Sequence, residues 1–86
     1  MTEQQLIDRA VKAKALLDND LLLEAFAAVE KAVFDKIKTS KAEERDARER
    51  LYLSLGLAEE IQTLIRGWLG TGQIAAANIE KLKKRQ

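Results

Sequence analysis

Apolar residues recur at intervals of four and three along almost the whole chain, and no proline interrupts them. This spacing is the period of an α-helix that buries one face, whereas a half-buried β-strand would alternate with a period of two. The chain also contains only four glycines, too few for a fold rich in loops or β-turns. The sequence therefore predicts an all-α protein.

The first two predicted helices lie on either side of an Asp-rich turn. The first covers about residues 3–17 and begins with a capping box formed by Thr2 and Gln5. The second covers about residues 21–38, and Asp20 is its predicted N-cap. The predicted buried stripes are Leu6, Ala10, Ala13 and Leu17 in the first helix and Leu22, Phe26, Val29, Val33 and Ile37 in the second.

The third predicted helix is the longest and covers about residues 41–69. Ser40 and Glu43 predict a second capping box at its start, and Gly70 stands where a glycine in the left-handed conformation would close it. A short terminal helix is predicted at about residues 73–83. The predicted buried stripe of the third helix is Ala47, Leu51, Ser54, Ala58, Ile61, Ile65 and Trp68.

The connections between these helices predict how they pack. Only the short Thr39-Ser40 turn separates the second helix from the third, so we expect the two to form a long antiparallel hairpin. The N-terminal helix then packs across that hairpin. A chain of 86 residues has room for one small domain, residues 1–86.

The composition argues against catalysis. The chain has no Cys and no His, so it has no disulfide and no thiol nucleophile, and it lacks the commonest general base and metal ligand. Gly67, Gly70 and Gly72 do not make a phosphate-binding loop, because no strand precedes them and no Gly-Lys-Ser/Thr ending follows. We predict a protein that is not an enzyme, with no catalytic residue, cofactor or metal.

Charge is unevenly distributed along the chain. Residues 1–70 carry 11 basic and 13 acidic side chains, whereas the last 16 residues carry four basic side chains and one acidic one. The four tail cations are either a solvated helix end or contacts for a polyanion such as nucleic acid. These candidate polyanion contacts are Lys81, Lys83, Lys84 and Arg85.

The two ends and the apolar stretches indicate a location. The N-terminus has no basic region followed by an apolar stretch, so no signal peptide is predicted. No charge-free stretch reaches the ~20 apolar residues that a membrane span requires. We therefore expect a cytoplasmic protein that does not associate with a membrane.

The stretch from Asp20 to Ala75 resembles a group of short helical proteins encoded in tailed phages and prophages. The motifs that carry the resemblance are Leu21-Leu22 and Glu24-Ala25-Phe26 after an Asp-rich turn, Val29-Glu30, the polar turn from Thr39 to Asp46, Arg48-Glu49, Leu51-Tyr52-Leu53, Trp68-Leu69, Thr71-Gly72 and Ile74-Ala75. Genes of this group lie near head and DNA-packaging genes.

The resemblance implies a context and not a reaction. It implies a non-enzymatic phage protein that acts by protein–protein interaction in virion assembly or DNA packaging, in the host cytoplasm or the virion, with a phage structural or packaging protein as a partner. It implies no site residue. The alternative is a small nucleic-acid-binding protein that uses the basic C-terminal tail.

A second apolar face on the third helix predicts self-association. Leu53, Leu57 and Leu64 lie away from the predicted buried stripe, and a helix that is apolar around most of its circumference is buried on all sides. Small residues near its middle would let a partner helix approach. We predict a homo-oligomer, most simply a two-fold dimer. The predicted contact residues are Leu57, Ile61, Leu64 and Trp68.

The alternative to an oligomer is a monomer in which the terminal helix folds back over this patch. Ile74, Ile79 and Leu82 would then cover the apolar side chains.

Overall fold

The structure is a computed structural model that describes residues 1–85. It contains three α-helices, α1 (Glu3–Leu17), α2 (Asp20–Thr39) and α3 (Arg45–Lys84), and no strand lies within residues 1–85. The prediction of an all-α protein is confirmed. The number and bounds of the helices differ from the prediction in the second half of the chain.

The predicted capping box opens α1. The Thr2 hydroxyl accepts a hydrogen bond from the Gln5 backbone N–H at 3.1 Å, and the Gln5 side-chain oxygen accepts one from the Thr2 N–H at 2.8 Å. Two N–H groups that a helix start leaves without intrahelical partners are thereby satisfied. This local chemistry fixes the start of α1 at the predicted residue.

The second helix lies within one residue of its predicted bounds, whereas the predicted start of the third is wrong. α2 begins at Asp20 itself, so Asp20 is the first helical residue and not the N-cap. Ser40 and Glu43 form no capping box, because the Ser40 hydroxyl donates instead to the Ile37 carbonyl at 2.7 Å and so closes the end of α2. A turn follows, in which the Glu44 N–H donates to the Lys41 carbonyl at 2.9 Å, and α3 begins only at Arg45.

α3 is one helix of 40 residues, so the predicted end at Gly70 and the separate short C-terminal helix at 73–83 are wrong. No glycine within residues 1–85 has a positive φ, and the Thr71 hydroxyl donates to the Gly67 carbonyl at 2.9 Å, as it does inside a helix. Glycine costs a helix only about 1 kcal/mol, which neighbouring good helix formers and tertiary packing outweigh. Without a turn here, the terminal segment does not fold back over the preceding part of α3.

The described residues group into two compact units. The first unit combines residues 1–19 with the part of α3 that begins at Thr63, and the second unit comprises Asp20–Gln62. α3 contributes one segment to each unit.

In the first unit, α1 packs closely on α3. The buried residues here are small or branched: Ala10, Ala13, Ile65, Gly72 and Ala75. A Cβ added to Gly72 would overlap the Ala10 Cβ and lie 2.8 Å from the Leu6 carbonyl oxygen. The absence of a side chain at Gly72 is therefore what allows the two backbones to approach.

In the second unit, α2 packs on residues 45–62 of α3, and Ala58 is the one buried residue described there. The partly buried residues are Leu22, Phe26, Glu30, Val33 and Ile37 on α2 and Arg48, Leu51, Leu55 and Gln62 on α3.

The predicted stripes differ from these inward faces. The predicted core members Val29, Ala47, Ser54 and Ile61 are exposed. On α3 the inward face is rotated by about one residue, because Leu55 buries more apolar surface against α2 than Ser54 could.

Candidate interaction surface

Three of the four predicted contact residues lie exposed on one face of α3. Leu57 is 61% exposed, Ile61 48% and Leu64 52%. Their spacing of four and three residues places them next to one another along the helix. Leu53, which is four residues before Leu57, extends the same row and is 70% exposed.

The fourth predicted contact residue, Trp68, has a different environment. Its side chain is partly buried in the first unit, and the guanidinium carbon of Arg9 lies 5.1 Å from the centre of its ring. This is a cation–π contact, in which the negative face of the indole attracts the cation. Trp68 is thus partly covered within its own chain, and Leu57, Ile61 and Leu64 are more open than it is.

α2 also carries exposed apolar residues that the sequence pattern does not predict. Leu21 is 75% exposed and Val29 is 51% exposed, and exposed alanines at positions 25 and 32 lie on the same side of the helix. The sequence predicts Val29 in the buried stripe, and that prediction is wrong. Its place on the inward face of α2 is taken by Glu30, which follows it in sequence.

Glu30 belongs to a polar pair inside the second unit. The Gln62 side-chain amide donates to the Glu30 carboxylate at 2.7 Å and to the Ala58 carbonyl at 3.2 Å. A part-buried carboxylate is tolerated when it accepts such hydrogen bonds. The sequence signal for this pair is register: Gln62 continues the series of Leu51, Leu55 and Ala58 at intervals of four and three.

A shallow groove opens between α2 and α3 beside Glu30. It is lined by Ala27, Glu30, Lys31, Phe34, Leu55 and Glu59. The groove shows which residues of the two helices lie on the same side of the unit.

The basic tail is helical up to Lys84, and its cations point in different directions. Lys83 and Lys84 line a groove with Gln4, Ile7 and Glu80. Lys81 and Arg85 line a separate groove that includes Glu3 and Asn78. The four predicted polyanion contacts are therefore divided between two grooves, each of which contains a carboxylate.

Residues 1–85 contain no cluster of three or more His, Cys, Asp or Glu side chains that could hold a metal ion. None of the helices within this range combines the length and the apolar character that a membrane crossing requires. No protein-family model, no curated protein and no solved structure matches this chain.

Proposed function

We propose that this is a non-enzymatic interaction protein of a phage or prophage, which self-associates through α3 and acts in virion assembly or DNA packaging. One observation carries the interaction part of the proposal: Leu57, Ile61 and Leu64 are each about half exposed or more on one face of a single helix. Contiguous exposed apolar surface on a small protein is typical of a binding surface.

The energetic argument follows from burial. Full burial of a large aliphatic side chain contributes about 1.5–3 kcal/mol relative to water, so burying the exposed half of each contributes about 1 kcal/mol. Three neighbouring side chains then supply a few kcal/mol toward association. A chain of 86 residues buries only a small core, so a few kcal/mol is a large part of its stability.

The finer arrangement of the second unit is part of the proposal: α2 and residues 45–62 of α3 form an antiparallel hairpin. Contacts support it, because residue numbers fall on α3 as they rise on α2. Glu30 pairs with Gln62, and Phe34 shares a groove with Leu55 and Glu59. Such a hairpin would hold the exposed side chains of both helices in fixed positions.

The assembly context rests on the resemblance of the stretch from Asp20 to Ala75 to short phage proteins. Its partner in that context is a structural or packaging protein, and its location is the host cytoplasm or the virion. The neighbourhood of the gene tests this part directly. A position outside a cluster of phage structural genes would contradict it.

Nucleic-acid binding is the second candidate function. Lys81 and Arg85 line one groove and are four residues apart, so one phosphate backbone could contact both. Fluorescence anisotropy with a labelled duplex at low salt tests this candidate. Micromolar binding that weakens steeply with salt would favour it over the interaction proposal.

Sedimentation velocity at tens of micromolar tests self-association. We expect the native chain to sediment above its 9.7 kDa monomer mass and Leu64→Glu to sediment as the monomer, because a buried carboxylate at the contact is costly. The matched control is Ile74→Glu, which alters an apolar residue 66% exposed on a different face of the same helix. Lys83→Glu should also leave the oligomer intact. A native chain that sediments only as the monomer overturns self-association.

A further inference from the structure

We infer that the partner surface is the same surface on a second copy of this chain, and that α2 provides part of it. The proposal rests on self-association through α3 and adds a second helix to the contact. Leu21 and Val29 of α2 and Leu57 and Ile61 of α3 form what we term the two-helix face. Two such faces pack together as a four-helix bundle.

The groove fixes the geometry of the two-helix face. On α2, Phe34 lines the groove, and Val29 lies on the opposite flank of the inward stripe, since each residue turns a helix by about 100°. On α3, Glu59 lines the groove, and Ile61 lies on the opposite flank. Because both groove residues lie on one side of the unit, Val29 and Ile61 share the other side. Val29 and Ile61, with Leu21 and Leu57 beside them, therefore lie on one surface, whereas Phe34 and Tyr52 are exposed on the groove side.

The area of the two-helix face is close to what a stable dimer requires. A standard interface buries about 800 Å² per partner, of which about 450–520 Å² is apolar. A fully exposed large aliphatic side chain offers on the order of 150 Å². With exposures of 75%, 51%, 61% and 48%, the four side chains present roughly 350 Å². The exposed alanines at positions 25 and 32 add to this area, so the face supplies most of the apolar part of a standard contact.

The second unit also lacks an interior of its own. α2 contains no fully buried residue, and Ala58 is the one buried residue within Asp20–Gln62. Stable domains bury the apolar side of one layer against another layer. A second hairpin supplies that layer, and the two-helix faces become the interior of the bundle.

Charge at the edges of the face favours a copy over other partners. Glu24, Asp35 and Lys36 border it on α2, and Asp46, Arg50 and Glu60 border it on α3. Both signs are present, and cations are not in excess. A two-fold contact places a surface against itself, which mixed charge permits, whereas a polyanion would require an excess of cations.

A matched pair of α2 variants tests the inference by sedimentation velocity at 100 µM. Val29→Glu alters the two-helix face and Phe34→Glu alters the groove side, and the two native residues are 51% and 48% exposed. We expect Val29→Glu to be a monomer and Phe34→Glu to remain a dimer. Far-ultraviolet circular dichroism checks that both stay helical.

If Val29→Glu remains dimeric while Leu57→Glu is monomeric, α2 lies outside the contact and only this inference is wrong. If the native chain is a monomer, self-association is wrong as well, and the face belongs to a different protein.

A single introduced cysteine gives a second measurement that does not depend on a disruptive change. The native chain has no Cys, so Val29→Cys and Phe34→Cys each provide one thiol. We expect a bulky maleimide to label the Val29→Cys thiol at least tenfold more slowly at 100 µM than at 1 µM. The Phe34→Cys thiol should react at one rate at both concentrations. If the Val29→Cys thiol reacts as fast as the Phe34→Cys thiol at both concentrations, the inference is overturned.

Discussion

The guanidinium carbon of Arg9 lies 5.1 Å from the centre of the Trp68 ring, and this contact joins α1 to α3 within the first unit. The Arg9 Nε is buried and has no hydrogen-bond partner within residues 1–85, so the cation–π contact is the interaction the structure shows for this guanidinium. Part-buried cation–π contacts contribute about 1 kcal/mol. The contact therefore contributes to the packing of α1 on α3.

We predict that Arg9→Ala lowers the free energy of unfolding by about 1–2 kcal/mol, because both the cation and its packed stem are lost. Arg9→Lys retains a cation and should cost less. Trp68 is the sole tryptophan, so its fluorescence follows unfolding in urea directly. Its emission should shift to longer wavelength in Arg9→Ala before unfolding begins. An unchanged emission maximum and midpoint would show that the ring does not depend on Arg9.

Gly72 leads to a steric prediction. Because an added Cβ would overlap Ala10 and crowd the Leu6 carbonyl, Gly72→Ala should force α1 away from α3. We expect a loss of up to about 2 kcal/mol, since overpacking costs about 1–3 kcal/mol and the better helix propensity of Ala returns about 1. Gly67→Ala is the control: no atom lies within 4 Å of its added Cβ, so it should be neutral or stabilising in the same urea titration.

Gly70 leads to a prediction whose sign separates two conformations. Inside a helix, and with no atom within 4 Å of an added Cβ, Gly70→Ala should raise the free energy of unfolding by about 0.5–1 kcal/mol. A glycine in the left-handed conformation at a helix end would give a loss of similar size. Thermal unfolding followed by circular dichroism measures the change, and a lower midpoint would indicate a helix break at this position.

The sequence predicts α1 well because its ends are set locally, by Thr2 with Gln5 and by the Asp-rich turn after Leu17. The region around Gly70 is different. A glycine ends a helix only where the chain turns into the left-handed conformation. Here the close packing of Gly72 on Ala10 favours continued helix. That packing involves residues far apart in sequence, so local rules do not include it.

The predicted inward face of α3 differs from the observed one for a related reason. Leu51, Ala58 and Ile65 fit both possible registers, and the choice depends on whether Ser54 and Ile61 or Leu55 and Gln62 face inward. Hydrophobicity favours Ile61 over Gln62. Gln62 faces inward because its amide meets the Glu30 carboxylate, a contact that exists only once α2 and α3 are paired.

The exposed side chains of α3 and those of α2 were not equally predictable. The sequence indicates a second apolar surface at Leu57 and Leu64, because these residues lie outside the one buried stripe of the helix. It does not indicate one at Val29, because the spacing of Val29 fits the predicted buried stripe, whereas in the structure Glu30 faces inward instead. Identifying the exposed part of α2 therefore required knowing the polar pair first.

The Glu30–Gln62 pair itself can be measured by a double-mutant cycle. The variants are Glu30→Ala, Gln62→Ala and the two combined, each followed by urea unfolding. We expect a coupling free energy of about 0.5–1.5 kcal/mol, because the hydrogen bond is 2.7 Å long, charged and part-buried. Additive losses would mean that the two side chains contribute independently and do not fix the register of α2 on α3.

The basic tail leads to a prediction about salt. Lys83 and Lys84 line one groove and Lys81 and Arg85 another, so a single duplex can engage about two cations at once. Each neutralised phosphate adds about −0.9 to the slope of log K against log salt, so the slope should be no steeper than about −2. The dissociation constant for non-specific binding should then be about 10⁻⁴ M or larger at physiological salt.

Anisotropy titrations from about 20 to 200 mM salt measure the slope and the dissociation constant, with the Lys81→Glu, Arg85→Glu double variant as the comparison. A slope near −4 would mean that all four cations contact phosphate together, and it would make nucleic-acid binding the better account of the protein.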